Sequence, residues 1–321
     1  MSRCLITGVA GFVGSHLIEY LSSMPDVEIF GIDRPNVKKN NVKHLLNRFK
    51  FYEVELTDMN SVSGMIRDIR PDKIFHLAAQ SFVPLSWTAP AETFNSNVIG
   101  QLNIFEALKQ EKLYPVIQIA NSSEQYGLVY PNETPIKETN PFRPQSTYAV
   151  SKIAQEYLAY QYNQSYGFKT IITRAFNHSG PRRGEQFVTS NFAKQIALIE
   201  KGLQEPIIKV GNLEAKRDFT DVRDMVRAYW LATEKCDYGT PYNICSDHAI
   251  SIQVMLEKLL SFSTRLDIKY ELDKTRIRPS DVPILLGDST KFRDKTGWYP
   301  IKQIDVTLLD LLNYWRDELC V

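Results

Sequence analysis

Cysteine is scarce: the 321 residues hold four, Cys4, Cys236, Cys245 and Cys320, with no C-x-x-C pair and no close histidine at zinc-ligand spacing. That argues against a disulfide framework and against a structural metal, and no metal site is expected. An excess of one charge is also missing, because 38 Lys and Arg face 37 Asp and Glu for a net charge of +1. Such a chain has no global field to hold a polyanion, and no basic block marks a nucleic-acid arm or a membrane patch. No run approaches the roughly 18 apolar residues of a membrane span, and the first residues lack the apolar stretch of a signal peptide. A cytoplasmic protein is expected. Repeats, low-complexity linkers and heptads are absent as well, which leaves no basis for a filament or coiled coil.

What is present is the composition of an ordinary globular protein, 43% hydrophobic, with enough length for a large core or two units. Apolar runs at residues 3–7, 27–32, 51–56, 73–77, 116–120 and 169–173 read as strands. Helix-length stretches at 12–21, 60–69, 91–109 and 147–166 alternate with them. This order predicts an α/β fold, a Rossmann-type doubly wound parallel sheet with helices on both faces. After Arg174 the rhythm changes to loops with short helices at 188–201, 221–234, 251–260 and 306–315. The expected division gives residues 1–175, plus about 215–240, to a dinucleotide-binding unit. Residues 176–214 and 241–321 form a smaller C-terminal α/β substrate unit.

Gly8-Val9-Ala10-Gly11-Phe12-Val13-Gly14 stands at the first strand-to-helix turn. Glycines there allow a tight turn, approach of backbone N–H groups to a pyrophosphate, and close helix–strand packing. Asp33 ends the second strand, where a carboxylate accepts both ribose hydroxyls of NAD and repels the 2′-phosphate of NADP. Arg34 beside it offsets that repulsion, so the cofactor is NAD or NADP with Asp33 favouring NAD. Glu55 and Leu56 follow the third strand, on the adenine side. Leu77, Ala78, Ala79 and Ser81 follow the fourth, where small side chains let the backbone run close to a dinucleotide. His76, inside the apolar run before them, reads as a core histidine.

Tyr148 and Lys152 lie four apart on one helical face. A neighbouring cation favours phenolate, so the pair is expected to lower the Tyr148 pKa and give a base for a hydroxyl proton, or an acid for the reverse step. Asn121-Ser122-Ser123-Glu124-Gln125-Tyr126-Gly127 closes the fifth strand, at the sheet edge where ligands bind. Ser122 is placed to share the reacting oxygen with Tyr148. Glu124 is placed to move a second proton, which a simple alcohol oxidation does not require.

Together with Phe176-Asn177-His178-Ser179-Gly180-Pro181-Arg182-Arg183-Gly184, these motifs resemble the nucleotide-sugar branch of the extended short-chain dehydrogenases/reductases. Phe187-Val188-Thr189, Val210-Gly211-Asn212-Leu213, Arg217-Asp218, Arg278-Pro279, Leu286-Gly287-Asp288 and Gly297-Trp298 extend the resemblance to GDP-mannose 4,6-dehydratases and GDP-4-keto-6-deoxymannose reductases over essentially the whole chain. The resemblance implies that Ser122 contacts the sugar 4-oxygen, that Glu124 is the acid/base for C5 and C6, and that Tyr148 and Lys152 form the redox pair. It implies cofactor contacts for His178 and Arg183, and sugar-nucleotide contacts for Asn177, Val188, Asn212 and Asp281. Arg217 and Arg278 take the diphosphate and ribose grips. Dehydratases commonly carry Arg-rich sequence where this chain has Asp33-Arg34, with an insertion after it that supports tetramers.

The expected activity is that of a GDP-mannose 4,6-dehydratase acting on a GDP-sugar, the alternative being the reductase that gives hydride to C4. A 4-epimerase is a further alternative of the same fold. A homodimer or homotetramer is expected, with a dimer favoured by the missing insertion. A non-catalytic sensor of nucleotide sugars would have no need of Tyr148, Lys152 and Glu124 together.

Overall fold

Ser2–Thr7 forms β1, and its alternation sets the layering: Cys4 and Ile6 point into one core, Leu5 into the other. The computed structural model describes residues 1–276 and 282–320. Helix α1 (Phe12–Ser22) follows the glycine turn, then β2 (Val27–Asp33), β3 (Lys50–Glu53), α2 (Met59–Ile69) and β4 (Lys73–His76). Two short helices, α3 (Leu85–Thr88) and α4 (Pro90–Phe94), lead through a π turn at Asn95–Ile99 into α5 (Gly100–Gln110). Strand β5 (Val116–Ser122), the long α6 (Thr147–Tyr166) and β6 (Lys169–Ala175) complete the first part.

The rest of the chain runs β7 (Asn177–Ser179), α7 (Val188–Glu200), β8 (Ile207–Val210), β9 (Lys216–Asp221), α8 (Val222–Lys235) and β10 (Thr240–Ile244). It continues through β11 (Ala249–Ser251), α9 (Ile252–Ser261), β12 (Lys269–Leu272), β13 (Ile284–Leu285), α10 (Thr290–Thr296) and α11 (Ile304–Glu318). A seven-stranded sheet of order β10-β6-β5-β4-β1-β2-β3 is parallel throughout. The fold is therefore α/β and Rossmann-type. One face is covered by α1 and α8, through Leu17, Ile18 and Leu21 against Met225, Ala228 and Ala232. The other is covered by α2, α5 and α6, with Val62, Ile66, Ile104, Leu108 and Ala159. Strand order reverses between β1 and β4, which opens a crevice at the carboxyl edge.

Several details depart from the sequence reading. Strand β3 ends at Glu53 rather than at residue 56, because Glu55 Oε1 accepts from the Thr57 amide and Asp58 caps α2 by accepting from the Asn60 amide. The helix expected over 91–109 contains the π turn, where buried Asn97 accepts from the Gln80 amide at 2.8 Å and donates to Ser151 Oγ at 2.9 Å. Strand β9 lies in a second, four-stranded sheet with β7, β11 and β13, whereas β10 beyond residue 240 joins the large sheet beside β6. That second sheet was not legible as strands, since its members are only two to six residues long. Among the described residues no helix is long and apolar enough to cross a membrane.

Strand β9 carries a buried carboxylate, Asp218, that accepts from the Ser246 amide at 2.7 Å and hydroxyl at 2.6 Å. Burial pushes its pKa up to about 6, against the pull of the Ser246 bonds. An unfolded Asp218 ionises near its ordinary value of 3.8, so the unfolded chain gives up the proton first. Stability should then fall between about pH 4 and 6 as pH rises, by up to about 3 kcal/mol. Chemical denaturation across this range should show the slope in the wild type and lose it in Asp218→Asn.

Candidate active site

A cleft of about 1150 Å³ opens at the crevice between β1 and β4. Gly8, Gly11, Phe12, Val13 and Gly14 line its floor, Asp33 and Arg34 one end, and Glu55 and Leu56 the wall beside them. Gly8 has φ +70°, and a Cβ there would stand 2.9 Å from Ala78 Cα; one on Gly14 would stand 2.6 Å from the Gly8 carbonyl oxygen. Side chains are therefore excluded where the turn, β4 and α1 meet. Leu77, Ala78, Ala79 and Ser81 line the next stretch. The Thr7 hydroxyl accepts from the Leu77 and Ala78 amides, which leaves its own proton for His76 Nδ1 at 2.9 Å. Burial lowers the His76 pKa to about 3, so it is a neutral core histidine that staples the two cleft-lining turns.

Asp33 Oδ2 accepts from the Ala10 amide at 3.0 Å and Oδ1 from the Arg34 amide at 2.9 Å, so the carboxylate braces the glycine turn. Burial raises its pKa against those two bonds. The carboxylate nevertheless borders the cleft.

The reactive groups converge at the other end of the same cleft. Ser122, Glu124, Tyr148 and Lys152 all line it, with Asn177, His178 and Arg183 facing them. Ser122 Oγ accepts from the Glu124 backbone amide at 3.2 Å, which orients the Ser122 side chain over the start of the following turn. Beneath them Glu156 accepts from Gln125, Asn121 and Arg174, and Gln125 in turn accepts from the Ser122 amide. Removing one partner of a buried pair such as Arg174–Glu156 costs about 3–5 kcal/mol, so this floor is rigid.

The Tyr148–Lys152 electrostatics differ from the sequence reading. Burial pushes the Tyr148 phenol up to about 12, while the Ser122 hydrogen bond and the Arg183 charge act in the opposite direction. Lys152 Nζ donates to the Ala120 carbonyl at 2.9 Å and stands 5.8 Å from the centre of the Tyr148 ring. Burial lowers the Lys152 pKa to about 7. One helical turn places the two side by side, and the strand end supplies the ammonium with a carbonyl partner.

His178 Nδ1 meets the Phe176 carbonyl at 3.0 Å, and its ring stacks on Phe12 at 6.0 Å. Burial and the Arg183 charge lower its pKa to about 4. The Arg183 guanidinium lies 3.5 Å from the Phe187 ring centre and 5.0 Å from that of Phe12, and no carboxylate pairs with it among the described residues. Burial lowers its pKa to about 10. A half-buried cation stacked on aromatic faces and lacking an acidic partner among the described residues suits an anionic ligand.

The remaining positions lie elsewhere. Val188 begins α7 and packs on the smaller core, Asn212 accepts from the Glu214 amide at 3.0 Å, and Arg217 is buried on β9, donating to the Val282 carbonyl at 2.7 Å. None of the three lines the cleft, and Arg278 and Asp281 lie outside the described residues. The cleft also recruits Tyr229 of α8 and Glu92 and Asn95 near the π turn. Tyr229 is signalled only by α8 packing back on the large sheet; Glu92 and Asn95 carry no local signal.

A parallel Rossmann-type sheet, a glycine turn at its switch point and a Ser-Tyr-Lys cluster at its carboxyl edge define an extended short-chain dehydrogenase/reductase. The GDP-mannose 4,6 dehydratase family model matches residues 5–310, and the chain belongs to this family. GDP-6-deoxy-D-mannose reductase of Pseudomonas aeruginosa is 31% identical over 99% of this chain and 98% of its own. GDP-mannose 4,6-dehydratase of Vibrio cholerae is 32% identical over 93% of this chain and 89% of its own. Among solved structures, RMD from Pseudomonas aeruginosa complexed with NADPH superposes with a TM-score of 0.87 at 30% identity, over 99% of this chain and 100% of that one. The protein is thus a nucleotide-sugar dehydratase or reductase of the extended short-chain type.

Proposed function

We propose that this chain is a GDP-mannose 4,6-dehydratase, forming GDP-4-keto-6-deoxymannose with loss of water. The observation that carries the reading is Glu124 in the same cleft as Ser122 and Tyr148, since a second proton-transfer group is superfluous for oxidation at C4 alone. The glycine turn, Ala78, Ala79, His178 and Arg183 would hold the dinucleotide, and the exclusion of side chains at Gly8 and Gly14 and a guanidinium with no carboxylate partner among the described residues fit it. When bound, the nicotinamide supplies the hydride acceptor for C4 and the donor for C6.

Tyr148 takes the 4-hydroxyl proton, with Ser122 bonded to the same oxygen. Burial and the Glu124 charge oppose the phenolate this needs, while the Ser122 hydroxyl and the Arg183 charge favour it. The C4 ketone acidifies the C5 proton; Glu124 removes it and passes a proton to the C6 hydroxyl, which leaves as water, and a proton from solvent returns to C5 as C6 is reduced. Asn177 at the cleft wall orients the sugar nucleotide. On this reading the large sheet carries the cofactor, and the part built on α7, α9 and α11 carries the GDP group, with Val188, Asn212 and Arg217 on that side.

A second reading, the 4-keto reductase, is favoured by the end-to-end match with the Pseudomonas reductase. Incubation with GDP-mannose and catalytic NAD or NADP separates the two by mass spectrometry. Loss of one water supports the dehydratase. Untouched GDP-mannose, together with consumption of NADH or NADPH on the 4-keto sugar, supports the reductase.

The cofactor we propose is NAD in preference to NADP, on the strength of Asp33 at the ribose end of the cleft. Asp33→Ala should weaken NAD about tenfold and NADP less, read by titration of both reduced forms. An unchanged ratio would remove Asp33 from the ribose. We also propose a cytoplasmic homodimer. Val150, Tyr157 and Tyr160 recur at helical spacing on the exposed side of α6, a face a second copy would cover.

A further inference from the structure

The loop after β7 sends two consecutive arginines in different directions. Arg183 enters the cleft, whereas Arg182 reaches out to α1. Arg182 Nη1 and Nη2 donate to Glu19 Oε1 and Oε2 at 2.7 and 2.6 Å, a fork-to-fork pair. Nη2 also donates to His16 Nδ1 at 2.8 Å. The neighbouring Pro181 carbonyl can only accept, so His16 Nε2, 2.9 Å from it, carries the ring proton and Nδ1 is free to receive Arg182. His44, in the 3-10 turn after β2, donates to Glu19 Oε1 at 3.1 Å. Burial works to raise the Glu19 pKa, but the bonds from Arg182 and His44 outweigh it and hold the carboxyl well below the usual range.

The backbone needs this clasp. Arg182 has φ +69°, a left-handed conformation that a side chain with a Cβ disfavours and that persists only where its surroundings impose it. With Arg182 fixed outward, the next residue points inward, and its carbonyl is held from the far side by the Ser190 hydroxyl at 2.6 Å. Phe12, four residues before His16 on α1, meets the His16 ring edge-on at 5.6 Å and carries His178 and Arg183 on its other contacts. The same helix thus anchors both arginines, one at its surface and one over the cleft.

We propose that Arg182, held by Glu19 and His16, is a positioning residue that sets Arg183 and His178 in the cofactor cleft and thereby fixes cofactor affinity. This rests on the reading that Arg183 contacts the cofactor. The test is titration of the purified protein with NADH and NADPH by fluorescence, alongside kcat at saturating cofactor. Arg182→Ala should raise Kd about tenfold, and Glu19→Ala similarly, with the double variant no worse than either single. The kcat should stay within about twofold, a split that a general loss of structure would not produce. Arg182→Lys, which keeps the charge but not the fork, should fall between.

Wild-type affinity in folded Arg182→Ala, with affinity lost in Arg183→Ala, would overturn the proposal while leaving the cofactor reading intact. Wild-type affinity in both would overturn the cofactor reading of Arg183 itself. Should Arg182→Ala fail to fold, Glu19→Ala decides, and full affinity there overturns the clasp.

Discussion

Tyr148→Phe is expected to lower kcat about 10³-fold while leaving cofactor affinity within about twofold. The phenol lines the cleft with Ser122, and its ring is buried, so removing one oxygen alters proton transfer and little else. The measurement is steady-state turnover beside a binding titration. Turnover within tenfold of wild type would show that another group handles the C4 proton.

Glu124→Gln carries the second large effect. Water loss should fall by about 10³-fold, because an amide cannot accept the C5 proton. Ser122, Tyr148 and Lys152 remain in this variant, so C4 oxidation continues and reduced cofactor accumulates as an absorbance that the wild type does not build up. The Glu124 amide bonds Ser122 Oγ through its backbone, which the substitution leaves in place. Full dehydration in this variant would contradict the assignment of Glu124 and shift the weight to the reductase.

Much of this site was legible because it rests on local necessity. Gly8 must accept φ +70° against Ala78, Asp33 must end β2, and Ser122 and Glu124 must share one strand end, and each constraint shows in the sequence. The central sheet was legible for a similar reason, since buried parallel strands such as Ile117 and Ile119 in β5 read as apolar runs. The π turn was not, because it depends on Asn97 meeting Gln80 and Ser151 across 17 and 54 residues. Nor was the direction of Lys152, which follows from the carbonyl of Ala120 on a different element. The Arg182–Glu19 pair spans 163 residues and leaves no pattern along the chain. The second sheet hides because strands as short as Ile284–Leu285 are set by their neighbours, not by periodicity.

The dehydratase reading is tested most directly by incubating the protein with GDP-mannose in deuterium oxide with substoichiometric cofactor, then recording the mass and NMR spectra of the sugar nucleotide. The proton that Glu124 takes from C5 exchanges with solvent before one returns there. The account predicts a product short of one water and carrying one deuterium at C5. Unchanged GDP-mannose, or a dehydrated product with no deuterium at C5, would contradict it.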